Sequence, residues 1–218
     1  VGGRVRSESI EGFTLDRGFQ VLFTAYPAVR AELNLDALEL RYFTPGAVIA
    51  RPGSRSTLSD PLRDPRALVA SLRNDEVTLT DKARTLLLRQ HVGTRSEAEI
   101  FRSPDRSIRS YLQSWGFSDG YIRNFVAPFY GGVTLDRSLS TSKRVFEYTF
   151  KSLSEGRIAV PAAGIGAIPE QLAERARAAG ASIQCSEPVD AVTDHGDSVT
   201  VETRSGSVDA DAAVVATD

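Results

Sequence analysis

Hydrophobic and polar positions change period twice along this chain, and the changes divide it into three stretches. The first alternates. Ile10 and Phe13 flank Glu11-Gly12, and Thr14 and Asp16 alternate with Phe13 and Leu15, the pattern of a hairpin with one buried face. A second apolar segment runs over 18–23, Pro27 fits the first position of a helix, and AVIARPGSRSTLSD predicts another hairpin turning at Pro52-Gly53-Ser54. From 64 to 153 the period becomes helical. Asp64-Pro65 opens one helix, and Thr80 caps a second with Ala83, Leu86, Leu87 and Leu88 as its apolar stripe. Residues 107–115 form a short helix ending at Gly116, Phe117-Ser118 supply an apolar lead-in and a cap for the next, and 138–153 closes the block.

After Gly156 the chain returns to α/β. RIAVP reads as a strand, 169–179 as a helix ending at Gly180, and ASIQC as a further strand. Three short strands follow, PVDAV, SVTVET and SVDA, turning at His195-Gly196-Asp197 and Ser205-Gly206. AAVVAT has no alternation, as in a strand buried on both faces between parallel neighbours. The order predicts a mixed α/β (α+β) fold in which a helical middle is inserted into a split α/β unit. The helical block should pack on a sheet of distant segments, with the hairpin at 47–60 as the nearest candidate.

Composition narrows the function. Hydrophobic residues are 41% and charged ones 25% of 218, so a packed core is expected rather than disorder. The net charge of -2, with acids and bases interspersed, gives no reason to expect nucleic acid. The arginines at 84, 89, 95, 102, 106 and 109 alternate with acids and read as a solvated face. A single cysteine, Cys185, excludes an internal disulfide and suggests the cytoplasm, and no apolar run is long enough to span a bilayer. Methionine is absent even at position 1, which predicts a piece of a longer chain.

Few residues advertise chemistry. Two histidines, His91 and His195, are too few and too scattered for a zinc site, and Cys185 reads as a core residue in a strand. RIAVPAAGIGAIPE followed by a helix, a strand and Glu187 imitates a dinucleotide fingerprint. However, Pro169 stands where the third glycine belongs, and Pro161-Ala162-Ala163 separates the strand from Gly164 and Gly166. A loop entering a helix is the better reading. At the N-terminus, Gly2 and Gly3 permit close backbone approach to a ligand, and Arg4 offers a fork of donors suited to phosphate.

In order, these segments resemble the flavin amine oxidases, phytoene desaturases and protoporphyrinogen oxidases. GGRVRSESIEGFTLDRG resembles the family's GGR and following hairpin, with Gly12, Phe13, Leu15, Asp16 and Gly18 at the pattern positions. The stretch ending in Pro128, Gly131 and Gly132 and the loop PAAGIG are similar to later family segments. EPVDAV resembles the segment whose valine, here Val189, meets adenine through its backbone, and AAVVATD resembles the strand near the adenosine half of FAD. Within the family the chain is most similar to a desaturase-like NAD(P)/FAD-dependent group.

The resemblance implies FAD as cofactor, held by Gly2, Gly3, Arg4, Gly18, Val189, Ala216 and Thr217. It implies a substrate pocket of Phe19, Gln20, Tyr26, Phe129 and Tyr130, with Phe125 nearby. It also implies a split FAD-binding, Rossmann-like domain at 1–20 and 160–218, carrying a three-stranded β-meander, around a substrate-binding domain at 21–159. The expected reaction is hydride transfer to FAD from an amine or an apolar, polyene-like small molecule. A flavin-dependent isomerase and a catalytically silent binding module are the alternatives. The family's G-x-G-x-x-G turn and its C-terminal flavin-closing segment have no counterpart in these residues, so the chain is expected to be an internal fragment. Its missing sheet neighbours would leave an exposed edge that favours self-association.

Overall fold

A computed structural model describes residues 1–18, 21–58 and 77–217. The helix expected at Asp64-Pro65 and the pocket positions Phe19 and Gln20 lie outside them. Strands β1 (Ser7–Ile10) and β2 (Phe13–Asp16) form the expected hairpin. Its two turn residues, Glu11 and Gly12, have φ of 52° and 84°, as a type I′ turn requires. The alternation is present, but the face it should bury is open to solvent: Phe13 is 70% exposed.

Strand β3 (Leu22–Phe23) leads through Tyr26 to helix α1 (Pro27–Glu32), with Pro27 at its start as predicted. Strand β4 (Arg41–Tyr42) follows, then the hairpin β5 (Ala47–Arg51) and β6 (Ser54–Leu58), turning at Pro52-Gly53. Strand β7 (Ile158–Val160) lies between β3 and β4, antiparallel to both, with Ala159 fully buried at the centre. This small sheet of distant segments leads into the helical block. Tyr26 stacks on Tyr148 at 5.4 Å, and Gly156 lies so close to Ala25 that an added Cβ would stand 2.6 Å from its nitrogen.

The helical block comprises α2 (Leu79–Gly93), α3 (Glu97–Arg102), α4 (Ile108–Ser114), α5 (Asp119–Tyr121), a π-helical segment (Ile122–Val126), α6 (Ala127–Thr134) and α7 (Lys143–Glu155). Ser118 caps α5 as predicted, Ser107 caps α4 rather than lying within it, and Ser96 with Glu99 forms a capping box on α3. The widened register of the π segment precedes Pro128, which cannot donate to the preceding turn and would crowd it.

Two boundaries differ from expectation. Helix α2 starts a turn's fraction earlier, capped by Thr78 rather than Thr80, after buried Val77. Its buried face is Asp81, Leu88 and Val92, while Ala83, Leu86 and Leu87 are exposed. Helix α7 starts at Lys143, not at 138, because Asp136 holds the preceding loop. Its carboxylate accepts the N–H groups of Ser138 and Thr141, each at 2.9 Å, and the Ser140 hydroxyl at 2.8 Å.

Leu88, Val92, Ile100, Ile108, Leu112, Ile122, Leu139 and Phe146 form the centre of the core, each contributing about 1.5–3 kcal/mol by burial. Buried charge sits beside it. Glu147 accepts from Lys143 Nζ and Arg95 Nη1, both at 3.2 Å, and Lys143 Nζ donates to Ser103 Oγ at 2.7 Å. Arg95, Arg109 and Arg89 therefore do more than face solvent: the last two donate to the carbonyls of Ser138 and Ser154.

Helix α8 (Ala167–Ala178) starts two residues before Pro169, and Gly180 follows it at φ 92°. Strands β8 (Val189–Asp194), β9 (Val199–Thr203) and β10 (Gly206–Ala210) form the predicted antiparallel meander in the order β10-β9-β8. ASIQC and AAVVAT form no strand. Cys185 is exposed rather than packed in a core, and Val214 is 92% exposed. An extended segment becomes a strand only where a partner satisfies its backbone, and no described strand pairs with either segment.

Candidate functional site

Gly2 and Gly3, at φ 96° and 52°, turn the N-terminus back so that Val5 N donates to Gly2 O at 2.8 Å. An added Cβ on Gly2 would collide with the Val5 carbonyl and stand 2.8 Å from Pro169 Cγ, at the start of α8. Among the described residues nothing lies within 4 Å of a Cβ placed on Gly3, so its open side admits a ligand atom as close as backbone can come. Arg4 is exposed next to it. The backbone bond from Arg17 N to Arg6 O, 2.9 Å, continues the hairpin ladder past Ser7 and Asp16, which brings Gly18 to the same open end. Gly18 has φ 76°, and among the described residues nothing lies within 4 Å of where its Cβ would be.

The loop 161–166 is fastened to this hairpin. Ser7 Oγ donates to Asp16 Oδ1 at 2.5 Å, Ile165 N donates to the same oxygen at 3.0 Å, and Gly166 N donates to Ser7 Oγ at 2.9 Å. A Cβ on Gly164, at φ 88°, would stand 2.7 Å from both Asp16 Oδ1 and Thr14 Cγ2; one on Gly166 would stand 2.9 Å from Ser7 N. The two glycines therefore serve close packing of hairpin on loop, in agreement with the reading of this segment as a loop entering a helix rather than a phosphate turn. Ser7 and Asp16 as a linked pair escaped the sequence reading. The available signal was their position opposite each other at the end of a short hairpin.

Aromatic rings form the second part of the site. Phe129 stacks on Phe125 at 5.9 Å and meets Tyr130 edge-on at 5.3 Å, while Tyr130 packs on Phe146 at 4.6 Å. Burial raises the Tyr130 phenol well above its ordinary value. Burial, then Tyr148, raises Tyr26. Tyr130 Oη is buried without a hydrogen-bond partner among the described residues, while the neighbouring Thr149 hydroxyl donates to Val145 O and Phe146 O. Each phenol stays protonated near neutral pH. The array can cover apolar surface and offer O–H donors, but it supplies no base.

The remaining cofactor candidates stand elsewhere. Val189 opens the outer strand β8, just before a bulge, and is 55% exposed. Ala216 and Thr217 lie on the exposed tail after the meander, not in the buried strand expected for them. Among the described residues no group of His, Cys, Asp and Glu is placed to hold a metal ion, and no helix is long and apolar enough to cross a membrane.

Comparison with known proteins gives a consistent picture. The sequence profile described as "Flavin containing amine oxidoreductase" matches residues 1–218. A search of curated proteins finds no match. Among solved structures, wild-type putrescine oxidase bound to putrescine aligns at 19% identity with a TM-score of 0.62, covering 97% of this chain and 49% of that one. A double mutant of putrescine oxidase aligns at 20% identity and 0.61, with the same coverage of 97% and 49%. A candidate protoporphyrinogen oxidase from Exiguobacterium sp. 255-15 aligns at 18% identity and 0.55, covering 95% and 49%. The likeness is one of fold, and this chain spans about half the length of the structures it matches.

Proposed function

This chain belongs to the family of flavin-containing amine oxidoreductases, and from that premise we propose that the protein binds FAD and oxidises a small molecule, an amine or an apolar polyene-like compound. The profile match from the first residue to the last carries the proposal. The bound flavin would supply the hydride acceptor, which leaves the polypeptide to bind, orient and exclude water.

Several features support that division of labour. The open side of Gly3 and the donors of Arg4 suit the FAD pyrophosphate, with Gly18 at the same end of the hairpin. Val189 would meet the adenine through its backbone, and Ala216 and Thr217 the adenosine half. Tyr26, Phe129 and Tyr130, with Phe19 and Gln20 from outside the described residues, would wall the substrate. The Tyr130 hydroxyl, buried and without a hydrogen-bond partner among the described residues, would be their polar contact, since such an O–H favours a ligand that accepts its proton. Residues 1–20 and 160–218 would form the cofactor side and 21–159 the substrate side. Self-association through the outer strands β8 and β10 belongs to the same proposal.

The experiment is flavin analysis of two purified proteins. The full product of the gene that carries this sequence should be yellow and should release stoichiometric FAD on denaturation. The 218-residue chain alone, which holds no G-x-G-x-x-G turn, should be colourless, because that turn and its helix supply most phosphate anchoring. A full product that neither carries nor binds FAD would sink the proposal, and a yellow 218-residue chain would overturn the assignment of its anchoring.

A further inference from the structure

The fastening between the hairpin and the glycine loop joins residues far apart in sequence. The bonds Ile165 N to Asp16 and Gly166 N to Ser7 span 149 and 159 residues. One carboxylate oxygen, Asp16 Oδ1, is the shared acceptor, and one hydroxyl, Ser7 Oγ, passes the connection on by donating to Asp16 while accepting from Gly166. The loop then runs into α8, whose Pro169 is the surface on which Gly2 rests. The chain of contact is thus Asp16, Ser7, loop 164–166, Pro169, Gly2 and the open turn at Gly3 and Arg4. Three of its glycines have no room for a side chain: Gly2, Gly164 and Gly166 each leave less than 3 Å for a Cβ.

We propose that Asp16, acting through Ser7, is a positioning residue that sets the Gly2-Gly3-Arg4 turn against the FAD phosphates, an assignment that rests on the function proposed above. Asp16 touches neither cofactor nor substrate. It fixes where the loop sits and so where the turn's donors point. Binding of a phosphate depends steeply on donor geometry, and a shift of the order of 1 Å in a supporting group is enough to lose much of it. Two donors to one carboxylate oxygen make Asp16 the point at which the frame is most easily released.

The test uses the full gene product. FAD affinity is measured by flavin fluorescence and the shape of the visible flavin band, and the stability of the flavin-free form by thermal unfolding. Asp16→Ala should weaken FAD binding about tenfold or more and alter the band, while unfolding of the flavin-free form moves little. Asp16→Asn keeps a carbonyl oxygen able to accept from both Ser7 and Ile165, and should restore affinity to within about threefold. If Asp16→Ala does not fold, Ser7→Ala serves in its place, since it removes the Gly166 contact but leaves Asp16 to accept from Ile165. It too should weaken FAD binding. A folded Asp16→Ala or Ser7→Ala protein with unchanged affinity and band shape overturns the proposal while leaving the flavin function standing. Failure of the unsubstituted protein to bind FAD overturns both.

Discussion

Asp81→Ala should destabilise the helical block by about 3 kcal/mol at neutral pH. Asp81 is fully buried near the start of α2 and joins it to the start of α5. Its carboxylate accepts Ser118 N at 2.9 Å, Ser118 Oγ at 2.7 Å and Thr78 Oγ1 at 2.6 Å. Hydrogen bonds to a charged group are worth about 1.5–3 kcal/mol each, so the simple sum, ~4.5–9 kcal/mol, is a ceiling. Both hydroxyls keep their capping roles without the carboxylate: Ser118 Oγ still accepts from Tyr121 N, and Thr78 Oγ1 from the backbone at 81. The Ser118 N–H is the group left orphaned, at about 1–3 kcal/mol, and the emptied volume adds to it.

Asp81→Asn, which retains one acceptor oxygen, should cost about 2 kcal/mol and supplies the test of charge. Burial pushes the Asp81 carboxyl up, but the Ser118 N–H and the Thr78 and Ser118 hydroxyls outweigh it and hold the group below its ordinary value of 3.8. A depressed folded value means that the ionised group stabilises fully above the unfolded value, near pH 4, and that this stability is lost as pH falls through the folded one. The gap between the native protein and Asp81→Asn should therefore be constant from about pH 7 to 5 and shrink below about pH 4. Urea unfolding followed by circular dichroism and by the fluorescence of Trp115, the sole tryptophan, measures it. A gap under about 0.5 kcal/mol at neutral pH, or one that ignores pH down to about 3, would refute the reasoning.

Two further outcomes are expected. Tyr130→Phe removes a buried hydroxyl that has no hydrogen-bond partner among the described residues, so the apolar ring should leave stability within about 0.5 kcal/mol or raise it; a loss above about 1.5 kcal/mol on urea unfolding would mean that the hydroxyl is bonded after all. Gly164→Ala forces a Cβ against Asp16 and Thr14 at φ 88°, and should lower stability by about 2 kcal/mol or more and Tm with it, whereas Gly180→Ala, with open space at φ 92°, should show only the backbone strain.

What the sequence made legible was local. Ser118 caps through a bond three residues long, Glu11-Gly12 and Pro52-Gly53 turn within two residues, and the meander pairs neighbours. The errors are non-local. Three consecutive leucines, Leu86 to Leu88, look equivalent until Asp81, tied to Ser118 across 37 residues, decides that only Leu88 faces inward. ASIQC and AAVVAT carry strand composition, but composition cannot supply the partner that makes a strand. The candidate site divides in the same way. Gly2, Gly3 and Arg4 could be recognised as a motif, and the rings of Phe129 and Tyr130 as an apolar cluster. The role of Ser7 and Asp16 depends on a loop about 150 residues away.

That separation also orders events during synthesis. The hairpin at 7–16 leaves the ribosome before the loop that fastens it, so it emerges with its apolar face open and its fastening not yet made. At about 5–20 residues per second, the 149 residues between Asp16 and Ile165 take roughly 7–30 s to translate. The helices between them make their core from contacts among themselves and can condense within that interval. The hairpin must wait, exposed, until Gly166 emerges. Slower translation before residue 166 would lengthen that interval.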